Sequence, residues 1–211
     1  MDYYDFYNEQ AEKTKELLKN LSFLHKFIFG LSCVHRNAIN YQHFSINENF
    51  GTKNYLFGIV DASWNLLNTN NKDKNHKIVK SFLESLKNKK NVPDSEDFSK
   101  GIEAIDASSI TYLVLNFYIE NNAENIINAA LNSLEVVEKW IYENYGYIND
   151  KDPNFKTKIL SYDLIRLEIE EQAAILFQLQ NSDLNNPRVL SVIKNKISNI
   201  KVSNIGLPYL V

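Results

Sequence analysis

The sequence predicts an all-α fold, a single-domain multi-helix bundle of about eight helices that covers residues 1–211. Six glycines and four prolines are few for a turn-rich β protein. Apolar residues recur at steps of three and four along most of the chain, as they do on one face of a helix. A nearly unbroken apolar run at residues 101–120 is too long for an ordinary strand. Because a helix that is apolar all round belongs inside a protein, we expect this run to be the central helix, with residues 105–118 the most buried segment.

The first half of the chain contains four predicted helices. An apolar stripe follows the second of them, and the segment from Phe44 to Gly51 has the composition of a polar loop. Asp73 is the predicted N-cap of the fourth helix, which ends before Pro93. These predicted helices are residues 3–20, 22–42, 53–70 and 73–90.

The second half contains the central helix and three more. Asn121 with Glu124 has the spacing of a capping box, and the apolar stripe that follows ends at Tyr145 and Gly146. Asp-Pro at 152–153 and Asn-Pro at 186–187 predict the starts of two further helices. We expect the tail segment Ser203–Gly206 to pack against the body of the protein, since only docking restrains a terminal segment.

Composition excludes several classes of protein. No uninterrupted apolar run reaches the ~18 residues that a membrane helix needs, so we expect no membrane contact. The acidic N-terminus lacks the basic and apolar regions of a signal peptide. Cys33 is the single cysteine, which excludes an internal disulfide framework. These features predict a cytoplasmic protein.

Four segments of the chain resemble one bacterial family, in the family's own order. They are RNAINYQHFSINENFG at 36–51, IVDASW at 59–64, DSEDFSKGIEAIDA at 94–107 and SNIG at 203–206. On these segments the chain is identified as a divergent member of the YjaG-like family, domain of unknown function number four hundred and sixteen. It departs from the family pattern at Ile39, where proline is usual, and at Tyr162, where tryptophan is usual. The resemblance implies an all-helical fold and no particular reaction.

Three aspartates within otherwise apolar helical segments are candidate ligands for a divalent cation. The candidate metal ligands are Asp61, Asp106 and Asp163. Burying a carboxylate is costly unless it is paired, and helical bundles do build metal sites from inward carboxylates. A metal site would recruit Glu168 or His35; the structural alternative pairs the aspartates with Arg36, Arg166 or a tyrosine hydroxyl. We expect no cofactor, with a divalent metal as the alternative.

Neither a phosphate-binding glycine loop nor a recognised catalytic motif is present in the sequence. We therefore predict a non-catalytic protein–protein interaction module, and the alternative is a metal-dependent enzyme or metal-binding protein that uses the aspartates. A nucleic-acid surface formed by Lys74, Lys77, Lys80 and Lys87 is disfavoured, because the whole chain is acidic and this helix lacks stacking aromatics.

Charge and aromatic residues indicate where a partner would bind. Residues 94–143 hold ten acidic and two basic residues, a net charge of −8. Several tyrosines lie close together at the N-terminus, and tyrosine is enriched at protein interfaces. The predicted partner is another protein or a second copy of this chain. One form of the hypothesis is an immunity-type protein that masks a basic toxin such as a nuclease. The candidate interaction residues are Tyr3, Tyr4, Tyr7, Asp94, Glu96 and Asp97.

Overall fold

A computed structural model describes residues 1–67, 69, 71–94 and 101–210. Over these residues the chain forms nine α-helices and no β-strand, apart from one isolated antiparallel bridge between Val202 and Pro208. The predicted all-α class is therefore confirmed. The helices are α1 (Tyr3–Leu18), α2 (Phe23–Asn47), α3 (Tyr55–Leu66), α4 (Lys72–Ser85), α5 (Ile102–Glu120), α6 (Ala123–Tyr145), α7 (Phe155–Ile159), α8 (Asp163–Gln180) and α9 (Pro187–Ser198).

Helix α2, rather than α5, is the most buried element. Every residue from Phe27 to Gln42 is buried, whereas α5 leaves Ser109 exposed and Asp106 and Tyr112 half-buried. The prediction that residues 105–118 form the most buried segment is therefore wrong. The polar side chains of α2 give it an amphipathic pattern, but they face other protein groups instead of water.

Gly30 allows α2 to pack closely against α5 and α6. A Cβ atom at this position would lie 2.8 Å from Cδ1 of Ile126 and 2.9 Å from Cγ2 of Val114. Those distances are shorter than side chains tolerate, so the absence of a side chain at Gly30 sets the spacing of the three helices.

Several helix ends differ from their predicted positions by a few residues. Asn71, and not Asp73, caps α4, since its side chain accepts a hydrogen bond from the Lys74 amide. Asn121 ends α5 in a left-handed conformation (φ 53°), and the next residue, Asn122, caps α6. Asn186 caps α9 with proline at its first turn, as predicted.

The segments around 44–51 and after residue 152 also differ from prediction. Helix α2 continues to Asn47, through the first half of the predicted polar loop. The long helix expected after Asp152 is divided into the short α7 and the longer α8. No helix within the described residues has the length and apolar character needed to cross a bilayer.

The C-terminal tail packs against the body of the protein, as predicted. Ser203, Asn204 and Ile205 are buried. The tail turns back on itself at Gly206 (φ 83°), a backbone conformation that favours glycine. The Ser203 hydroxyl accepts hydrogen bonds from the amides of Ile205 and Leu207, which fixes this turn.

Candidate functional site

A buried ion pair joins α2 to α8. The Arg36 guanidinium donates from Nε to Oε2 of Glu168 at 3.1 Å and from Nη2 to Oε1 at 2.9 Å. Their side chains are 4% and 1% exposed. Burial acts to lower the pKa of Arg36, but the Glu168 carboxylate and then the Cys33 thiol outweigh it, so the pKa of Arg36 is raised. Arg36 therefore remains charged.

Neutral polar groups complete the environment of this ion pair. Oε1 of Glu168 also accepts from the Ser133 hydroxyl at 2.8 Å and from Nε2 of Gln172 at 2.6 Å. Ser133 in turn accepts from Nδ2 of Asn37 at 2.8 Å. These contacts satisfy the buried carboxylate, which is the condition under which such a charge is tolerated.

The tail enters the same cluster through Asn204. Nδ2 of Asn204 donates to the Ser133 carbonyl at 2.8 Å and to Oδ1 of Asn37 at 3.2 Å, and its Oδ1 accepts from Asn40 at 2.9 Å. We call this set the buried polar network. Its members are Arg36, Asn37, Asn40, Ser133, Glu168, Gln172 and Asn204. It links α2, α6, α8 and the tail in one hydrogen-bonded unit.

Three histidines of α2 bind main-chain carbonyls from the last third of the chain. Nε2 of His25 lies 3.1 Å from the Ser182 oxygen, that of His35 lies 3.3 Å from Ile200, and that of His43 lies 2.6 Å from Pro208. Because a carbonyl only accepts, each Nε2 must carry the proton. The histidines therefore attach the C-terminal segments to α2.

The three candidate metal ligands lie on three different helices. Asp61 is exposed on α3. Asp106 accepts from Nζ of Lys139 at 2.7 Å, and Asp163 pairs with Arg166. The structure does not bring the aspartates together: no group of three or more His, Cys, Asp or Glu side chains among the described residues could hold a metal ion.

Exposed tyrosines are concentrated where the end of α6 meets the N-terminus of the chain. Tyr4, Tyr145 and Tyr147 are 71%, 64% and 65% exposed. Tyr147 packs against Tyr142 and Tyr145 against Tyr162, with ring centroids 5.0 and 5.6 Å apart. We call this the tyrosine surface, formed by Tyr4, Tyr142, Tyr145, Tyr147 and Tyr162. Tyr145, predicted to lie in the apolar stripe of α6, is thus an exposed residue.

Two of the tyrosines predicted to bind a partner, Tyr3 and Tyr7, are instead packed inside the protein next to the tyrosine surface. Tyr7 is buried, and its hydroxyl donates to Glu138, which also accepts from Tyr142. Tyr3 is half-buried, with its ring 5.4 Å from Tyr4 and 4.7 Å from Tyr7. Tyr4 is therefore the one of the three N-terminal candidates that is mostly exposed.

Carboxylates lie beside the part of the tyrosine surface that Tyr142 and Tyr147 form. Burial, followed by the negative charge of Glu138, Glu135 and Asp150, raises the pKa of Tyr3. Burial also raises the pKa of Glu138 itself, with Glu135 and Asp150 adding to the effect against the two tyrosine hydroxyls that lower it. Glu135, Glu138 and Asp150 therefore lie close enough to one another to affect the same ionisable groups.

The structure describes one of the three acidic residues that are predicted to bind a partner. Asp94 is half-buried and pairs with Lys89. Glu96 and Asp97 lie outside the described residues, so their predicted role in binding stays a prediction.

A family model described as a protein of unknown function, DUF416, matches residues 13–208. The chain belongs to the DUF416 family. A solved structure of a DUF416 family protein from Shewanella baltica OS155 is similar to this chain, with a TM-score of 0.75 and 22% sequence identity over 92% of this chain and 97% of that chain. At this identity the similarity shows the shared fold. No curated protein matches the chain.

Two of the segments that resemble the DUF416 family meet in three dimensions. The segment at 36–51 supplies Arg36 and Asn40 to the buried polar network, and the segment at 203–206 supplies Asn204. All three side chains are buried and bonded within the protein. In this DUF416 chain, Asn40 therefore holds the tail through Asn204, and Arg36 joins the same network through Glu168.

Proposed function

We propose that this protein is a non-catalytic binding module whose tyrosine surface binds a basic protein. The observation that carries the proposal is the exposure of Tyr4, Tyr145 and Tyr147, each more than 60% exposed, at the end of α6 and on the N-terminal segment that bonds to Asp150. Single exposed apolar residues are common on protein surfaces, whereas several exposed tyrosines in one region favour an interaction site.

The base of the tyrosine surface is well anchored, which favours tight binding. The N-terminal amine of Met1 donates to the Pro153 carbonyl at 2.6 Å, and the Tyr3 amide donates to the Asp150 carbonyl at 3.0 Å. Glu138 binds the hydroxyls of both Tyr7 and Tyr142. A pre-ordered surface loses little conformational entropy when a partner binds.

The chemistry of the surface selects a partner rich in arginine or lysine. Exposed tyrosine rings accept cations over their faces, and the neighbouring carboxylates attract positive charge. Glu135 and Glu143 lie on α6, and Asp150 follows it. Lys139 in this region is engaged by Asp106, so it offers little repulsion to a basic partner. We place this binding in the cytoplasm, the location expected from the sequence.

Nuclear magnetic resonance titration with an octa-arginine peptide tests the proposal without knowledge of the natural partner. We expect the largest shifts at the rings of Tyr4, Tyr145 and Tyr147 and at the amides of residues 143–150, with no comparable change from octa-glutamate. Shifts confined to the exposed glutamates of α1, Glu12 and Glu16, would contradict the proposal, because they would indicate general attraction to acidic surfaces.

A further inference from the structure

A second surface, distinct from the tyrosine surface, contains a cavity of about 380 Å³. It lies where the start of α2, the start of α4 and the end of α5 meet. Its volume falls in the range of small-molecule sites, roughly 300–1,000 Å³. The wall is formed by Phe23, Lys72, His76, Tyr118, Ile119 and Asn121.

Aromatic rings held in fixed positions form one side of this cavity. The ring of Tyr118 lies 5.5 Å from that of Phe23 and 6.0 Å from that of His76, both edge to face. Its hydroxyl accepts a hydrogen bond from Nδ2 of the buried Asn75 at 3.1 Å. Phe23 is also stacked on Phe117 at 5.0 Å. A flat apolar ring entering the cavity would meet ordered aromatic surface, to which nucleobases bind by stacking.

Basic residue types line the other side of the cavity. Lys72 and His76 contribute to the wall, and among the described residues no acidic side chain does. Lys72 is also the first residue of α4, where the helix dipole adds positive potential. Among the described residues Lys72 forms no ion pair, whereas the lysines of α1 pair with nearby glutamates. This side of the cavity therefore suits an anionic group.

Asn121 adds a hydrogen-bonding group at the rim. It is exposed, and its left-handed backbone conformation is the one that ends α5. Its side-chain amide makes no hydrogen bond among the described residues. A free asparagine amide offers N–H donors next to a carbonyl acceptor, an arrangement that matches the edge of adenine.

We propose that this cavity binds an adenosine 5′-phosphate group. The base packs on Phe23 and Tyr118, the amide of Asn121 contacts the base edge, and Lys72 with His76 binds the phosphate. The ligand is either a free nucleotide or the 5′-terminal nucleotide of a strand, since both present the same chemical group.

Isothermal titration calorimetry with adenosine monophosphate tests this site. We expect adenosine and inorganic phosphate each to bind about tenfold more weakly or worse, because each lacks one of the two recognised parts. The double variant Lys72→Ala/His76→Ala and the variant Phe23→Leu should each lose about tenfold in affinity. Lys80→Ala is the matched control, since this exposed lysine of α4 lies outside the cavity wall; it should keep the wild-type affinity.

Circular dichroism of each variant establishes that the helical fold is retained. An absence of binding to the wild-type protein at about 1 mM nucleotide would overturn the proposal, as would equal affinity in the Lys72/His76 double variant. A 5′-phosphorylated hexa-adenylate separates the two sources of the ligand. Tighter, salt-dependent binding of this strand assigns the site to a strand end, and equal binding assigns it to the free nucleotide.

Discussion

The Arg36 guanidinium and the Glu168 carboxylate form a two-point ion pair between α2 and α8, with both side chains almost completely buried. Removing one partner leaves the other charged and unpaired, so we expect Arg36→Met to destabilise the protein by about 3–5 kcal/mol. Urea unfolding measures the loss. The double variant Arg36→Met/Glu168→Leu should be more stable than the sum of the single changes predicts. Additive losses would show that the two charges do not depend on each other.

Replacing Gly30 in α2 and Gly58 in α3 by alanine should change the stability of the protein in opposite directions. Gly30→Ala should destabilise the protein by about 1–3 kcal/mol, because its Cβ would collide with Ile126 and Val114. Gly58→Ala, within α3, has no atom within 4 Å of its new Cβ and should stabilise by about 0.5–1 kcal/mol. Thermal unfolding of the matched variants checks both. A shift of the same sign in both would contradict the packing described for α2.

His35 gives the protein a predicted pH dependence. Burial, followed by the nearby charges of Lys201 and Arg36, lowers the pKa of His35 to about 4 against the opposing effect of the Ile200 hydrogen bond. The unfolded chain therefore takes up a proton near pH 6.5 that the folded chain resists. The folded state is therefore favoured fully above pH 6.5, where His35 is neutral in both states. As the pH falls from 6.5 to 4, protonation of the unfolded chain lowers the free energy of unfolding by about 3 kcal/mol at most.

Comparison with His35→Gln isolates this effect. The glutamine can still donate to the Ile200 carbonyl but does not titrate. Glu103, Glu135 and Glu138 have raised pKa values and change stability in the opposite direction with pH in both proteins. The difference in unfolding free energy between wild type and variant should therefore shrink between pH 6.5 and 4. A difference that stays constant would show that His35 takes up its proton at the same pH in both states.

Asn204 provides a test of how the tail is held. Replacing it with alanine removes two donors and one acceptor from the buried polar network and should cost about 1–3 kcal/mol. Limited proteolysis should then cleave near residues 200–210 faster than in the wild type. Val202→Ala is the control, because Val202 is half exposed, and it should leave both measurements nearly unchanged.

The fold class could be predicted from spacing alone, because apolar steps of three and four need no knowledge of what they pack against. Which helix is the most buried could not be predicted in this way. Arg36, Asn37 and Asn40 are residue types that usually face solvent, and only the tertiary structure shows that they bind Glu168 and Asn204 instead. Nothing in a local window distinguishes a polar side chain bonded to water from one bonded to the protein.

The tyrosine surface was predictable only in part, because the sequence does not show which side chains pack against each tyrosine. The aromatic N-terminus identified Tyr4, which is exposed. The spacing of apolar residues places Tyr145 in the apolar stripe of α6, although the helix ends there before Gly146. The last residues before a helix end are often solvated, and that signal could have placed Tyr145 correctly. Tyr7 resembles its neighbours in sequence, but its partner Glu138 is distant along the chain.

The most direct test of the proposed binding function is affinity capture from lysate of the cells that encode the protein. Three baits are compared: wild type, Tyr4→Ser/Tyr145→Ser/Tyr147→Ser, and Phe177→Ser as a control for the loss of a similarly exposed aromatic residue. We expect one stoichiometric basic protein on the wild type and on Phe177→Ser, released by high salt, and its loss from the triple variant. Equal capture of that protein by all three baits, or the absence of any stoichiometric partner, would contradict the proposal.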